Sequence, residues 1–126
     1  MEVDYATQYE LGRAGERAAV SWYEEEGYRT LGVRERMKSG EIDAVVEDPD
    51  GTIVFVEVKS RAGDAFGAVE AVTAKKLGTM RRCAGQWLEK YEVATMHPVR
   101  FDVVECVFHG GDYILRRFPG VEDGAC

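Results

Sequence analysis

Long apolar runs are missing from this sequence, and so is the basic start of a signal peptide. Its 126 residues contain no stretch that approaches the length of a membrane span, and the first residues are acidic. A bilayer-crossing helix needs about 20 mostly apolar residues. We therefore expect no membrane partner and a cytoplasmic location.

Cysteine and histidine are scarce. The three cysteines, Cys83, Cys106 and Cys126, are widely separated and form no CxxC pair. This pattern argues against a disulfide framework and a zinc site, and predicts reduced thiols. The two histidines, His97 and His109, are too few and too far apart for a zinc centre or a His-based triad, and we expect them in loops or at the surface.

Positive charge is in short supply. Sixteen Lys and Arg residues face 23 Asp and Glu residues, which gives a net charge of −7. Because neutralising phosphates drives nucleic-acid affinity, this balance counts against tight binding of unmodified duplex. The charge is uneven, however, since Arg29, Arg34, Arg36 and Lys38 lie close together. A local basic surface is compatible with the sequence.

The length of 126 residues predicts one domain, over residues 1–118, followed by a flexible acidic tail over 119–126. The predicted elements, in order, are a helix Asp4 to Glu26, a strand Tyr28 to Arg36, a hairpin, a loop Ser60 to Gly67, a helix Ala68 to Tyr91, and strands Pro98 to Val107 and Tyr113 to Phe118. Asp4 is a candidate cap of the first helix and Gly27 its terminator. The order αβββαββ predicts a mixed α/β or α+β sandwich.

Each predicted helix has an apolar stripe. The first stripe comprises Leu11, Ala14, Gly15, Ala18 and Trp22. The second comprises Val69, Val72, Met80, Cys83, Ala84, Trp87 and Tyr91, with Lys76 unexpectedly in its middle. Small residues near the first stripe, such as Gly12, Gly15 and Ala19, lower helix propensity but permit close packing on a sheet.

The hairpin is the most informative segment. Two runs rich in β-branched residues, Ile42 to Val46 and Thr52 to Val58, flank the turn sequence Asp48-Pro49-Asp50-Gly51. Pro suits the second position of a type I turn and Gly the left-handed position after it, so we expect a three-residue loop. Counting from that loop places Asp43 opposite Glu57 and Glu41 opposite Lys59.

The two faces of the hairpin differ. All even positions from 42 to 46 and from 54 to 58 are apolar, so that face is expected to be buried. On the odd face Val45, Ile53 and Phe55 are apolar near the turn, and the charged residues lie at the far end. Those residues are Glu41, Asp43, Glu57 and Lys59.

Two opposed carboxylates lie close enough to repel each other, because directly opposed residues have Cβ atoms about 4.5–5.5 Å apart. A divalent metal between them would remove this repulsion, and Mg²⁺ or Mn²⁺ favours oxygen ligands. We predict Asp43, Glu57 and the backbone carbonyl of Val58 as metal ligands, with Lys59 acting on water or phosphate. The alternative is a set of surface salt bridges from Lys59 to Glu41 and Glu57.

Other residues are candidates for the same chemistry. Glu16, at the edge of the first helix stripe, either reaches the metal or is a solvated helix charge. Lys76 is either a phosphate contact or an extended side chain with its amine in water. Arg61, Arg36 and Lys38 are further candidate nucleic-acid contacts, and Asp102 is expected to be structural.

Several motifs in order resemble a known family. These are Gly15-Glu16, Gly40-Glu41-Ile42-Asp43, Phe55-Val56-Glu57-Val58-Lys59 with Arg61, Phe66-Gly67, Ala71-Val72 with Lys76, and Arg100-Phe101-Asp102-Val103-Val104. Over residues 8–118 the chain resembles the YraN-type family of small bacterial proteins. That family belongs to the restriction-endonuclease-like PD-(D/E)xK superfamily and is similar to Holliday-junction resolvases.

The resemblance implies a central mixed sheet flanked by helices. It also implies Asp43, Glu57 and Lys59 as the nuclease motif and Glu16 as an additional acid carried on a helix. Gly32 departs from the family pattern, which usually has Asn there, but this change is outside the predicted metal site.

The function predicted from residues and resemblance together is a metal-dependent nuclease. We expect it to act on DNA rather than RNA, with branched or otherwise structured DNA as a candidate substrate. The alternative is a noncatalytic nucleic-acid-binding or protein-interaction module that keeps the nuclease fold. The sequence leaves the oligomeric state open, including a homodimer.

Overall fold

A five-stranded sheet organises the chain. The computed structural model describes residues 8–63 and 73–121. Its elements are α1 (Gln8–Glu25), β1 (Arg29–Met37), β2 (Gly40–Glu47), β3 (Ile53–Ala62), α2 (Ala74–Lys90), β4 (Val99–His109) and β5 (Asp112–Phe118). The predicted fold class and the order αβββαββ are confirmed.

The sheet is mixed. Its strands lie in the order β1-β2-β3-β4-β5, and each neighbouring pair is antiparallel except β3 with β4, which is parallel. Parallel strands need a crossover connection, and α2 lies within it. A helix between the third and fourth strands therefore accounts for the single parallel pair.

The β2–β3 hairpin has the predicted register. Ala44 lies opposite Val56, and Glu47 lies opposite Ile53. Gly51 has a positive φ of 97°, and its amide donates a 2.7 Å hydrogen bond to the carbonyl of Asp48. Left-handed geometry of this kind favours glycine, so the turn sequence sets the pairing of the two strands.

The two helices cover opposite sides of the hairpin. On the α1 side a core cluster is formed by Ala19, Tyr23, Ala44, Val46, Val54, Val56 and Val104. On the α2 side the cluster consists of Met37, Ile42, Val45, Ile53, Phe55, Cys83, Ala84, Trp87 and Phe101. Both faces are thus buried at the centre of the sheet, as the resemblance implied. Neither α1 nor α2 has the length and apolar character needed to cross a membrane.

The buried line of α1 is rotated from the predicted stripe. Leu11, Gly15, Ala19 and Tyr23, spaced four residues apart, are buried. Trp22, predicted in the stripe, is only partly buried. The reason is close packing at Gly15, where an added Cβ would overlap Ser60 Oγ on β3. Gly27 ends the helix with φ of 91°, as predicted.

The predicted start of α2 at Ala68 is wrong. Thr73 has extended backbone angles, and its side chain accepts a hydrogen bond from the amide of Lys76, so the helix begins at Ala74. A threonine cap satisfies a backbone amide that the first helical turn leaves free. Leu77 is buried and was missing from the predicted stripe. Asp4, Phe66, Gly67, Val69, Ala71 and Val72 lie outside the described residues.

The predicted start of the loop after the hairpin is too early. Ser60 to Ala62 belong to β3, where they pair with Cys106 to Phe108 of β4, so the predicted loop start is wrong. Pairing with a neighbouring strand here outweighs weak local β propensity. Just after residue 118, the amide of Gly120 donates a hydrogen bond to Asp102, and Val121 packs against the α2-side core.

Candidate metal and nucleic-acid site

Asp43 is attached to the neighbouring strand by its side chain. It lies in the middle of β2, one residue beyond the Ala44–Val56 pair, where the pairing between β2 and β3 stops although β2 continues to Gly40 beside β1. Its Oδ2 accepts a 2.8 Å hydrogen bond from the amide of Val58. This contact fixes the carboxylate against β3 and leaves its other oxygen for a further partner.

The charge environment of Asp43 is unfavourable to a bare carboxylate. Burial and the negative charge of Glu57 raise the pKa of Asp43 to about 7, and Glu16 adds to the increase. The amide of Val58 and the ammonium of Lys76 act in the opposite direction. The negative charges of Glu57 and Glu16 therefore both disfavour ionisation of Asp43.

Glu57 is buried but has two cationic partners. Its Oε2 lies 3.2 Å from Lys59 Nζ and 3.4 Å from Lys76 Nζ. A buried carboxylate needs such compensation, because removal from water disfavours its charged form. Glu57 and Lys59 form one of the two salt bridges of the non-metal alternative. Lys76 reaches this pair from α2, which the sequence pattern did not reveal.

Glu16 approaches from α1. Its Oε1 lies 3.3 Å from Arg34 Nη1, and its charge contributes to the raised pKa of Asp43. Arg34 has a positive φ of 49°, an uncommon conformation for a bulky residue. Sequence reasoning did not identify this partner, because nothing in the residue type signals a left-handed backbone at an arginine.

The remaining predicted contacts are more dispersed. Glu41 shares a small cavity of about 20 Å³ with Glu57 and Lys76. Arg36 is exposed on β1, and Lys38 is exposed in the following turn. Arg61, near the end of β3, lies opposite Val107 of β4.

Asp102 has the structural surroundings predicted for it. It is fully buried, accepts a 2.7 Å hydrogen bond from Tyr23 Oη, and pairs with Arg100 at 2.9 Å. The described cysteines, Cys83 and Cys106, are free and buried. Burial raises the pKa of the Cys106 thiol to about 11. His97 lies in a loop, where its Nε2 contacts the carbonyl of Gly51 at 2.8 Å.

The donor set fits a hard divalent ion with few protein ligands. Within residues 8–63 and 73–121, no group of three or more His, Cys, Asp or Glu side chains is placed to hold a metal. The candidate donors are therefore two carboxylates, Asp43 and Glu57, and the carbonyl of Val58. Mg²⁺ often retains several waters and takes only one or two carboxylates. Burial and the negative charge of Glu57 both raise the pKa of Asp43, and a bound cation would favour its ionised form.

Comparison with known proteins identifies the family. The model of the uncharacterised protein family UPF0102 matches residues 15–106. The chain belongs to the UPF0102 family. A UPF0102 protein of Corynebacterium efficiens is 46% identical over 117 residues, which cover 91% of this chain and 93% of the relative. A UPF0102 protein of Mycolicibacterium smegmatis is 42% identical over 106 residues, which cover 82% and 85% of the two chains.

Two solved structures are also similar to this UPF0102 chain. A repair endonuclease from Pyrococcus abyssi has a TM-score of 0.47 at 22% identity, with 86% of this chain and 42% of that chain covered. A complex of EndoMS with double-stranded DNA has a TM-score of 0.44 at 20% identity, with 79% and 38% covered. The chain spans less than half the length of either protein.

Proposed function

We propose that this UPF0102 protein is a metal-dependent nuclease that hydrolyses phosphodiester bonds in DNA, including branched or structured DNA. The supporting observation is the convergence of Asp43 and Glu57 on adjacent antiparallel strands, with Lys59 Nζ 3.2 Å from Glu57. Two acids that repel each other in a largely buried position destabilise the fold. Such groups cluster at functional sites more often than on ordinary protein surfaces. This pair of acids beside a lysine is well suited to binding a cation and a phosphate together.

Each residue has a role in this proposal. A Mg²⁺ or Mn²⁺ ion bound by Asp43, Glu57 and the Val58 carbonyl would supply Lewis-acid activation of water and phosphate. The Lys59 ammonium orients the attacking water or stabilises charge that develops on the phosphate. Glu16 holds a second, water-mediated position at the same site.

Basic residues around the site are the proposed phosphate contacts. Lys76 already reaches the site through Glu57, and Arg61 follows Lys59 on β3. Arg36 and Lys38 extend the contacts along the surface. With a net charge of −7, affinity has to come from such local groups, which favours a structured substrate over plain duplex. The free thiols of Cys83 and Cys106 agree with a cytoplasmic location.

A second function has its own supporting observation. Lys59 and Lys76 already offset the charge of Glu57, and Arg34 offsets that of Glu16. The site can therefore exist without a metal. This arrangement favours a noncatalytic nucleic-acid-binding or protein-interaction module that keeps the fold.

A cleavage screen separates the two functions. Linear, nicked, flapped and four-way DNA are incubated with the full chain in Mg²⁺, Mn²⁺ or EDTA. We expect metal-dependent cleavage of at least one substrate. Asp43→Ala and Glu57→Ala should lose both cleavage and Mn²⁺ binding measured by calorimetry. Lys59→Ala should keep Mn²⁺ binding and lose roughly hundredfold or more in rate.

The matched control is Lys90→Ala, which removes an exposed lysine at the end of α2. It should leave cleavage unchanged, and circular dichroism should show every variant folded. Glu16→Ala should have an intermediate effect if its contact is water-mediated. If the wild type cleaves none of the four substrates but binds four-way DNA equally with and without Asp43, the enzyme proposal fails and the binding module replaces it.

A further inference from the structure

A second surface feature lies next to the candidate metal site. It is a groove between α1 and β1 with a volume of about 290 Å³. Its lining consists of Arg13, Glu16, Arg17, Val20, Ser21, Val33 and Arg34. This is near the lower end of the roughly 300–1,000 Å³ typical of ligand sites. It is too small for a duplex, and we call it the α1–β1 groove.

The α1–β1 groove is positively charged in an acidic protein. Three guanidinium groups line it against one carboxylate, that of Glu16. The whole chain, in contrast, carries a net charge of −7. A local basic surface on such a chain is the usual electrostatic footprint of an anionic partner.

The groove also contains apolar surface that a simple anion would not use. Val20 and Val33 are part of its lining, and Val33 is 50% exposed although it belongs to a strand. Exposed β-branched surface between arginines provides contact for a flat apolar ring, while the guanidinium groups provide contacts for phosphate. A nucleotide carries both chemical groups.

An exposed aromatic ring stands beside the groove. Tyr9 is 62% exposed, and the guanidinium carbons of Arg13 and Arg34 lie 5.7 Å and 5.8 Å from its ring centroid. Arg13 also donates a 2.9 Å hydrogen bond to Tyr9 Oη. Aromatic rings interleaved with basic groups are typical of surfaces that bind single-stranded nucleic acid by stacking.

Arg34 connects the groove with the candidate metal site. Its left-handed backbone is a conformation that costs free energy for a bulky residue, and such strain often occurs at functional positions. In this conformation its side chain contacts both Glu16 and the face of Tyr9. A nucleic-acid strand bound in the groove would therefore be directed towards Glu16, and from there towards Asp43.

We propose that the α1–β1 groove binds one nucleotide of a DNA single strand next to the candidate metal site. Arg13 and Arg17 contact the phosphate, Val20 and Val33 contact the base, and the Tyr9 ring stacks on the neighbouring base. The direction of the strand towards Asp43 rests on the proposed nuclease function, whereas binding in the groove does not. A free mononucleotide presents the same chemical groups, so the experiment has to separate these two sources.

Binding is measured without metal, so that cleavage plays no part. Fluorescence anisotropy in EDTA follows a labelled oligodeoxythymidine of about twelve nucleotides, within the usual range for single-strand sites. Tyr9→Ala should weaken binding by roughly tenfold, the typical effect of losing one stacked base. The double variant Arg13→Gln with Arg17→Gln should reduce the slope of log affinity against log salt by about 0.7, because that is the contribution of one neutralised phosphate of a single strand.

Arg29→Gln is the matched control, since Arg29 is an exposed arginine at the other end of β1, where it pairs with Glu47. It should bind the oligonucleotide like the wild type. Equal affinity and salt slope for this control and the double arginine variant would overturn the proposal. So would displacement of the oligonucleotide by thymidine monophosphate at equal nucleotide concentration, which would identify a free nucleotide as the ligand.

The two proposals can fail separately. If the wild type binds the oligonucleotide through Tyr9 and the arginines but cleaves no DNA, the groove is supported and the nuclease function fails. If the wild type cleaves DNA while the groove variants leave single-strand binding unchanged, the nuclease function is supported and the groove proposal fails.

Discussion

Asp43 is the residue at which burial and charge conflict most strongly. Its pKa is raised from 3.8 to about 7, so the folded protein binds more protons than the unfolded chain between these two pH values. Stability must then fall as pH rises through this window and stay low above it. When no metal is bound, ionisation of Asp43 lowers the free energy of unfolding by on the order of 2 to 4 kcal/mol.

Asp43→Asn should remove this pH dependence. Without metal, the variant should be more stable than the wild type near pH 8, and its advantage should shrink near pH 5, where the wild-type carboxyl is largely protonated. Urea unfolding in EDTA at both pH values measures the difference. Glu89→Gln, an exposed change of the same charge, should keep the wild-type pH dependence. If the stability of Asp43→Asn falls between pH 5 and pH 8 as steeply as that of the wild type, the prediction is wrong.

The positions of some candidate-site residues could be predicted from sequence, and those of others could not. Asp43, Glu57 and Lys59 could be placed together, because a three-residue turn fixes a hairpin register and register fixes which side chains face each other. The contact of Arg34 with Glu16 could not be predicted, since it depends on a left-handed backbone that the residue type does not favour. Nor could the pairing of Lys76 with Glu57, which depends on how α2 lies over the sheet.

At the scale of elements, the contact between α1 and β3 controls the position of Glu16. Gly15 lies where an added Cβ would overlap Ser60 Oγ and lie 3.1 Å from Ser60 Cβ. Gly12, in the same helix, has no atom within 4 Å of such a position. The apolar pattern alone predicted a stripe through Trp22, because counting apolar residues does not reveal which glycine marks the closest approach. The two glycines therefore form a matched pair.

Gly15→Ala should destabilise the protein, and Gly12→Ala should stabilise it. Alanine improves helix propensity by up to about 1 kcal/mol at either position. At Gly15 overpacking costs about 1–3 kcal/mol, which outweighs that gain and moves α1, with Glu16, away from the sheet. Urea unfolding measures whether the free energy of unfolding falls in Gly15→Ala and rises in Gly12→Ala. Ser60→Ala should partly rescue Gly15→Ala by removing the overlapping hydroxyl. Equal stabilisation by both glycine substitutions would refute the close contact.

At the scale of the whole molecule, the sequence predicted the list of elements better than their arrangement. The turn sequence indicated one antiparallel hairpin, and the mixed sheet was implied only by the resemblance, whereas the crossover through α2 that makes β3 and β4 parallel was not predicted. Which helix covers which face of the hairpin did not follow from sequence, because both faces are apolar near the turn. The ends of α2 and β3 were also missed, since a threonine cap and a neighbouring strand decide them.

Metal binding should stabilise the whole fold. The candidate ligands converge only in the folded chain, where Asp43 is held against β3 by the amide of Val58. An ion that binds only the folded state shifts the unfolding equilibrium by mass action, and at about ten times its Kd the gain is about 1.4 kcal/mol. For a domain of this size that corresponds to a rise of roughly 5 °C in Tm.

Thermal unfolding with increasing Mg²⁺ or Mn²⁺ measures this rise. Asp43→Asn should abolish it, even though the variant starts from a higher metal-free Tm, because relief of carboxylate repulsion and loss of the ion are two consequences of the same substitution. Glu89→Gln should show the wild-type response. Nonspecific screening of the net charge of −7 would raise the Tm of all three proteins alike, and that result would remove the support for a metal at Asp43 and Glu57. A rise in the wild type and in Glu89→Gln alone would locate the ion between β2 and β3, because these proteins differ from Asp43→Asn in retaining the carboxylate there.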